Sequence, residues 1–196
     1  MLRIPVKING VNNLSDARYC AGMGVEMMGY SVSENHERYI PVEKINGISG
    51  WISGIKIIAE SYLGEDSETI IQRAENIAAQ AIEIEAGFYS LEIFKGKNLI
   101  CRVEMNELNR VLPKIPAESV LHLKIKKSDV KELLEIAKIC AERETILNVS
   151  ELDLNEIELI LKETKLYGLS LDGGNELSPG LRDFEDLANV LEYLEA

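Results

Sequence analysis

Several charged residues fall at alternate positions of short apolar, β-branched runs, and these are the residues of the chain best placed to do chemistry. In the run 120–125, Leu121, Leu123 and Ile125 alternate with Val120, His122 and Lys124. In 81–85, Ile82 and Ile84 alternate with Glu83 and Glu85, and Lys7, Lys56 and Arg102 take comparable positions in their own runs. A strand shows successive side chains to opposite faces, so the charges share the face turned away from the apolar one. If that face lines a protein interior the charges must pair, because a lone buried charge is costly. Lys7, Lys56 and Arg102 are therefore predicted to meet Glu83 and Glu85. Such a cluster could supply acid–base groups, with His122 and Glu85 as candidates, or serve as a structural ion-pair network without chemistry. Lys124, with Glu104 close by, could act as a base or Schiff-base nucleophile if its pKa were depressed. Lys126 and Lys127 precede an expected helix N-terminus, a place that welcomes an anion.

Other reactive residue types are sparse. Cys20, Cys101 and Cys140 are widely spaced and sit in apolar patterns, so reduced, buried thiols are expected. With only His36 and His122, and no close Cys/His spacing, no metal site is predicted and no cofactor is implied.

Positioning these residues requires a regular framework. Candidate strands at 5–8, 26–32, 54–58, 81–85, 99–103, 120–125, 145–149 and 167–171 alternate with helical stretches, clearest at 14–23, 67–79, 129–142, 155–163 and 184–194. Ile70, Ile71, Ala74, Ile77 and Ala78 give the second of these an amphipathic face, and Ser128 is placed to cap the third. Strict alternation implies a parallel sheet with helical crossovers. Eight units with no strand left over imply an α/β fold closed as a short (β/α)8 TIM barrel, one domain over residues 1–196. The alternative, an open doubly wound sheet, lacks the closely spaced glycines of a dinucleotide site at its first turn.

A net charge of −12 gives no basic face to displace counterions from nucleic acid, and it disfavours anionic membranes. The N-terminus runs straight into a strand-like segment without a signal pattern, and no apolar run approaches the roughly 20 residues of a membrane span. A cytoplasmic protein acting on a small molecule is expected. Trp51, Tyr62 and Phe88, if exposed, could mark a homodimer interface or one with another enzyme.

Val6-Lys7-Ile8-Asn9-Gly10-Val11, followed by Asp16-Ala17, resembles the opening of the phosphoribosylanthranilate isomerase family of tryptophan biosynthesis. That family begins Lys-Ile-Cys-Gly-Ile with an Asp-Ala pair in its first helix. Gly24-Val25-Glu26-Met27-Met28-Gly29-Tyr30 matches its next stretch in spacing, and His36-Glu37-Arg38-Tyr39-Ile40 resembles its Ser-Pro-Arg-Tyr-Val. Near the far end, Gly174-Asn175-Glu176 and Ser178-Pro179-Gly180-Leu181-Arg182-Asp183 resemble Ser-Gly-Val-Glu and Ser-Pro-Gly-Val-Lys-Asp. The middle is similar mainly in its βα rhythm.

The resemblance implies a barrel whose relatives perform an Amadori rearrangement, with a first-strand cysteine as base and an aspartate ending the sixth strand as acid. Asn9 stands at the base position, and a carboxamide has no useful basicity near neutral pH. The sixth strand ends Leu121-His122-Leu123-Lys124 without a carboxylate, and Asp129 lies further on, in the expected helix. Ile125-Lys126-Lys127-Ser128 and Asn148-Val149-Ser150 replace the family's glycine-rich phosphate loops. Ser170 aligns with an aspartate that contacts substrate, while Asp172-Gly173-Gly174 keeps two glycines beside a negative charge. Arg38 matches a residue that contacts the anthranilate carboxylate. Asn9, Arg38, Lys124, Ser170, Gly173 and Gly174 are thus the candidate substrate-binding residues. Three readings follow: a catalytically silent or repurposed relative that binds a small anionic metabolite or a pathway partner, a working isomerase with reassigned residues, or another enzyme using the polar centre.

Overall fold

The computed structural model describes residues 1–62, 64–87, 89–126, 133–173, 176–178, 181–182 and 185–195, with the side chains at 176–178, 181–182 and 185–186 left aside. Eight parallel strands close into a barrel in sequence order: β1 (Val6–Asn9), β2 (Met27–Ser31), β3 (Lys56–Glu60), β4 (Ala81–Glu85), β5 (Leu99–Glu104), β6 (Val120–Lys124), β7 (Thr145–Asn148) and β8 (Gly168–Asp172). β8 returns to β1 with Lys7 opposite Ser170 and Asn9 opposite Asp172, and this closure rules out the open sheet. The strands fall where the apolar runs put them, within about two residues. The largest shift is at β3, which starts and ends two residues later than the 54–58 reading.

Helices α1 (Leu14–Gly22), α2 (Val42–Ser49), α3 (Ser67–Asn76), α4 (Leu108–Val111), α5 (Leu133–Glu142), α6 (Leu154–Glu163) and α7 (Glu185–Leu194) surround the strands. A short antiparallel pair, β9 (Glu176–Ser178) with β10 (Leu181–Arg182), precedes α7. α2 has no long apolar periodicity in sequence, yet Ile45 and Ile48 bury its inner face. α3 stops earlier than its pattern suggests. Ala78 turns to φ +50° and is exposed, so only Ile70, Ala74 and Ile77 of the expected stripe are fully buried. The cap expected from Ser128 lies outside the described residues.

Alternation along each strand divides the interior in two. Outward-facing Ile8, Met28, Ala59, Ile84, Cys101, Leu121, Leu147 and Leu169 pack under the helices, against side chains such as Ala17, Ile70, Ile136 and Ile157. Each fully buried Ile or Leu contributes about 1.5–3 kcal/mol. Inside the barrel, Met27, Ile58, Ile100 and Ile146 form an apolar plug at the N-terminal end.

After β4 the crossover is only a 3-10 turn (Leu91–Phe94), and after β5 only α4 between two further 3-10 turns. The thin helical layer leaves a side groove of about 720 Å³, lined by Tyr89, Phe94, Leu99, Val111 and Ile115 among others.

Local sequence fixes the helix starts. Asn13, Asp66 and Asp153 each accept from backbone N–H groups of the first turn, and Asp153 and Glu156 form a reciprocal capping box at α6. Asp153→Ala is expected to lower unfolding free energy by about 1 kcal/mol, measured by urea denaturation, because two N–H groups lose their acceptor.

Candidate functional site at the barrel mouth

Two residues beyond the apolar plug, the lumen becomes charged. Lys7, fully buried, bonds Glu60 through its ammonium, lies 2.9 Å from Glu83 Oε2 and donates to Asn9 Oδ1 at 2.5 Å. Arg102 donates to Glu83 Oε1 at 3.0 Å and to the Ser61 carbonyl at 2.7 Å. His122 places Nδ1 2.9 Å from Glu83 Oε1 and Nε2 2.6 Å from Ser170 Oγ. An ionised carboxylate only accepts, which assigns the Nδ1 proton to His122.

Burial opposes ionisation of Glu83, but Lys7, His122 and Arg102 outweigh it and hold the carboxyl well below the usual range. Burial likewise opposes the charge on Lys7, and Glu60 and Glu83 overcome it, so the ammonium titrates above an ordinary lysine. A lysine held charged in this way is no Schiff-base nucleophile. Ser170, His122 and Glu83 stand in the order nucleophile, base and carboxylate, but all three are buried in the lumen.

The expected pairing is thus present for Lys7 and Arg102 with Glu83, and it fails for Lys56. Lys56 has the lumen parity but opens β3 at the N-terminal rim, where it is exposed. Glu85 is half-buried at the end of β4 and makes no hydrogen bond or ion pair among the described residues. Glu60 lies two residues beyond the strand end expected at Ile58. The alternation Lys56, Ile58, Glu60 continues to it and turns it into the lumen.

At the mouth, Asn9 bridges the lumen to Asp172. Its Oδ1 accepts from Lys7, and its Nδ2 donates to Asp172 Oδ1 at 2.8 Å. Asn148 donates to the same oxygen at 3.1 Å. Burial works against the Asp172 charge, yet these two bonds and the nearby Arg38 and Lys124 lower its pKa below the ordinary value. Arg38, from the loop after β2, donates to the Gly173 carbonyl at 3.1 Å, and Glu34 pairs with Arg73. Lys124 lies 3.5 Å from Glu104, the neighbour expected for it. Gly174, Lys127 and Asp129 lie outside the described residues.

Three backbone donors at this end are already engaged. The Ser150 N–H donates to Asn148 Oδ1 at 3.0 Å, the Asp172 N–H to Ser150 Oγ at 2.8 Å, and the Gly173 N–H to the Asn9 carbonyl at 2.8 Å.

The mouth also holds an aromatic stack. The His36 ring lies 3.5 Å from that of Tyr62, nearly parallel at 5°, and the Arg102 guanidinium sits 4.1 Å from the centre of Tyr62. Tyr62 is therefore half-buried in the site, not the exposed interface residue considered from sequence; Trp51 is 72% exposed, and Phe88 is outside the described residues. Burial lowers the His36 pKa and pushes the Cys20 thiol up to about 12 and those of Cys101 and Cys140 to about 11. The cysteines are free, buried thiols, as their apolar settings implied. None of them replaces a thiolate at Asn9.

An eight-stranded barrel of this size, closed in sequence order with its polar residues gathered at the C-terminal ends, has close counterparts among solved structures. The counterparts are phosphoribosylanthranilate isomerases. One, in complex with reduced 1-(o-carboxyphenylamino)-1-deoxyribulose 5-phosphate, superposes with a TM-score of 0.79 at 19% identity, covering 96% of this chain and 97% of its own. Monomers generated from the dimeric phosphoribosylanthranilate isomerase of Thermotoga maritima give 0.75 at 21%, covering 94% of each chain. The enzyme from Thermus thermophilus gives 0.76 at 18%, covering 97% and 98%. No protein-family model matches the chain, and no curated protein matches it in sequence. The likeness to phosphoribosylanthranilate isomerases is one of fold.

Proposed function

We propose that this barrel binds a small carboxylate-bearing metabolite at its mouth and does not catalyse the Amadori rearrangement of the phosphoribosylanthranilate isomerases. The observation that carries this reading is the double engagement of Asn9. Where the resemblance places a thiolate base, a carboxamide is held by Lys7 on its oxygen and by Asp172 on its nitrogen. No atom of it can take up a proton at neutral pH. The sixth strand ends on a lysine paired with Glu104 in place of a carboxylic acid.

The engaged N–H groups of Ser150, Asp172 and Gly173 argue against a phosphate grip at the last strands, because an anion there would have to displace internal bonds. The carboxylate would be met by Arg38, whose planar guanidinium suits two parallel charge-assisted hydrogen bonds. Ser170, buried against His122, is a lumen spacer in this reading, while Asn9, Arg38, Lys124 and Gly173 face the ligand. The reading includes a cytoplasmic protein and leaves room for a homodimer or a pathway-enzyme partner. A working isomerase draws no support from His122, whose two nitrogens are both occupied in a buried chain.

The binding half is tested by titrating benzoate into the full chain and following backbone amide shifts by NMR. Shifts centred on Gly173 and the Arg38 loop, lost in Arg38→Met, are the expected result. Shifts elsewhere, or unchanged binding in Arg38→Met, would overturn it.

A further inference from the structure

Residues 32–41 join β2 to α2, and the two feet of this loop are pinned to strand ends. The Val32 N–H donates to the Glu60 carbonyl at 2.9 Å, and the Ile40 N–H donates to the Ser31 carbonyl at 3.1 Å. Between the feet, the loop is bound to residues that follow β3. The Tyr62 N–H donates to Ser33 Oγ at 2.8 Å, and the Glu34 N–H donates to Glu65 Oε1 at 2.8 Å. Each segment thus accepts a backbone N–H of the other, and the His36 ring stacks on Tyr62. Arg38 adds a tether from the same loop to the Gly173 carbonyl.

One side chain from a third element ties the two segments together. Arg73, on α3, donates through Nη1 to the Val32 carbonyl at 2.5 Å and through Nη2 to Glu34 Oε1 at 2.6 Å, and Nη1 lies 3.3 Å from Glu65 Oε2. Its guanidinium also sits 5.9 Å from the centre of the Tyr39 ring. The ring of Tyr62 packs on the Arg102 guanidinium, and its hydroxyl is 3.5 Å from Glu60 Oε2, so the joined segments cover part of the charged lumen.

We propose that these segments form a single strap over the charged lumen, that the strap opens as one unit, and that Arg73 is the positioning residue that keeps it shut. A planar guanidinium with five N–H donors meets one carbonyl and two carboxylates at once, which a point-charge ammonium does not. The weak end of the clasp is Glu34, whose side chain is 59% exposed against 10% for Glu65, so water and salt compete there first. Opening uncovers Arg102 and Glu60, and closing removes water from them.

The test is native-state amide exchange on the full chain, followed by NMR, with the Glu34 and Tyr62 N–H groups as reporters, one on each segment. In Arg73→Met both are expected to exchange at least about tenfold faster and by a common factor, while amides of β6 and β7 keep their wild-type rates. Glu34→Gln alters an exposed side chain, leaves the fold intact, and should speed both reporters by a smaller common factor. Molar sodium chloride should do the same to the wild type and have little effect on Arg73→Met. Acceleration of one reporter without the other would overturn the single strap. Acceleration that extends to β6 and β7 in both variants would mean that the clasp supports the whole fold, and would overturn the proposal, as would unchanged reporters.

Discussion

Replacing Lys7 by methionine is expected to destabilise the barrel by about 3–5 kcal/mol, although the new side chain has nearly the same length and shape. Lys7 is fully buried between Glu60 and Glu83. Without it, Glu83 keeps Arg102 and His122, but Glu60 is left with the Gly10 N–H at 2.9 Å and the Tyr62 hydroxyl at 3.5 Å. A buried carboxylate without a counter-charge is the source of the loss. Lys7→Met combined with Glu60→Gln should therefore recover much of it, because the charge goes together with its partner.

The same cluster sets a pH dependence. The depressed Glu83 pKa contributes stability that is present above the ordinary carboxylate value and lost as pH falls through the folded value. The raised Lys7 pKa contributes stability that is full below the ordinary lysine value and lost as pH rises through the folded one. Urea unfolding across pH should show a plateau that falls at both ends. Lys7→Met should remove the alkaline fall and shrink the acid one.

The second large effect concerns a residue with no side chain. A Cβ on Gly29 would lie 1.8 Å from Glu60 Oε1, 2.3 Å from its Cδ and 2.9 Å from its Cγ. The carboxylate cannot swing aside without leaving both Lys7 and the Gly10 N–H. Gly29→Ala should consequently cost about 3–5 kcal/mol, combining overpacking with a broken buried pair. A double-mutant cycle separates this cause from backbone strain. In a Glu60→Ser background the same Gly29→Ala change should cost less than about 1 kcal/mol, because the group it strikes is absent. An undiminished cost there would mean that Gly29 is required for some other reason.

These two residues mark where the sequence was legible. The barrel could be read because apolar alternation is imposed on every strand by the helix layer outside, and Lys7, Glu83, Arg102 and His122 stood out as charges inside that pattern. Gly29 was readable only as part of a family-like spacing, since a glycine does not announce which neighbour occupies its missing side chain. Glu60 was lost at a strand end, where two more residues of alternation decide between lumen and loop. The pairing of Asn9 with Asp172 joins residues 163 positions apart, and nothing local in either segment predicts it. Tyr62, whose ring contacts both His36 and Arg102, is not legible as a site residue because contacts among three separate segments have no signature in any one of them.

The measurement that bears most directly on the absence of Amadori chemistry is the consumption of phosphoribosylanthranilate by the purified chain, followed by loss of its fluorescence beside an authentic isomerase. With Asn9 held between Lys7 and Asp172, no turnover above the uncatalysed background is expected, even at high protein concentration. Turnover that survives purification and responds to Asn9→Ala or His122→Ala would contradict the account, and would mean that a residue assigned here to structure is moving the proton.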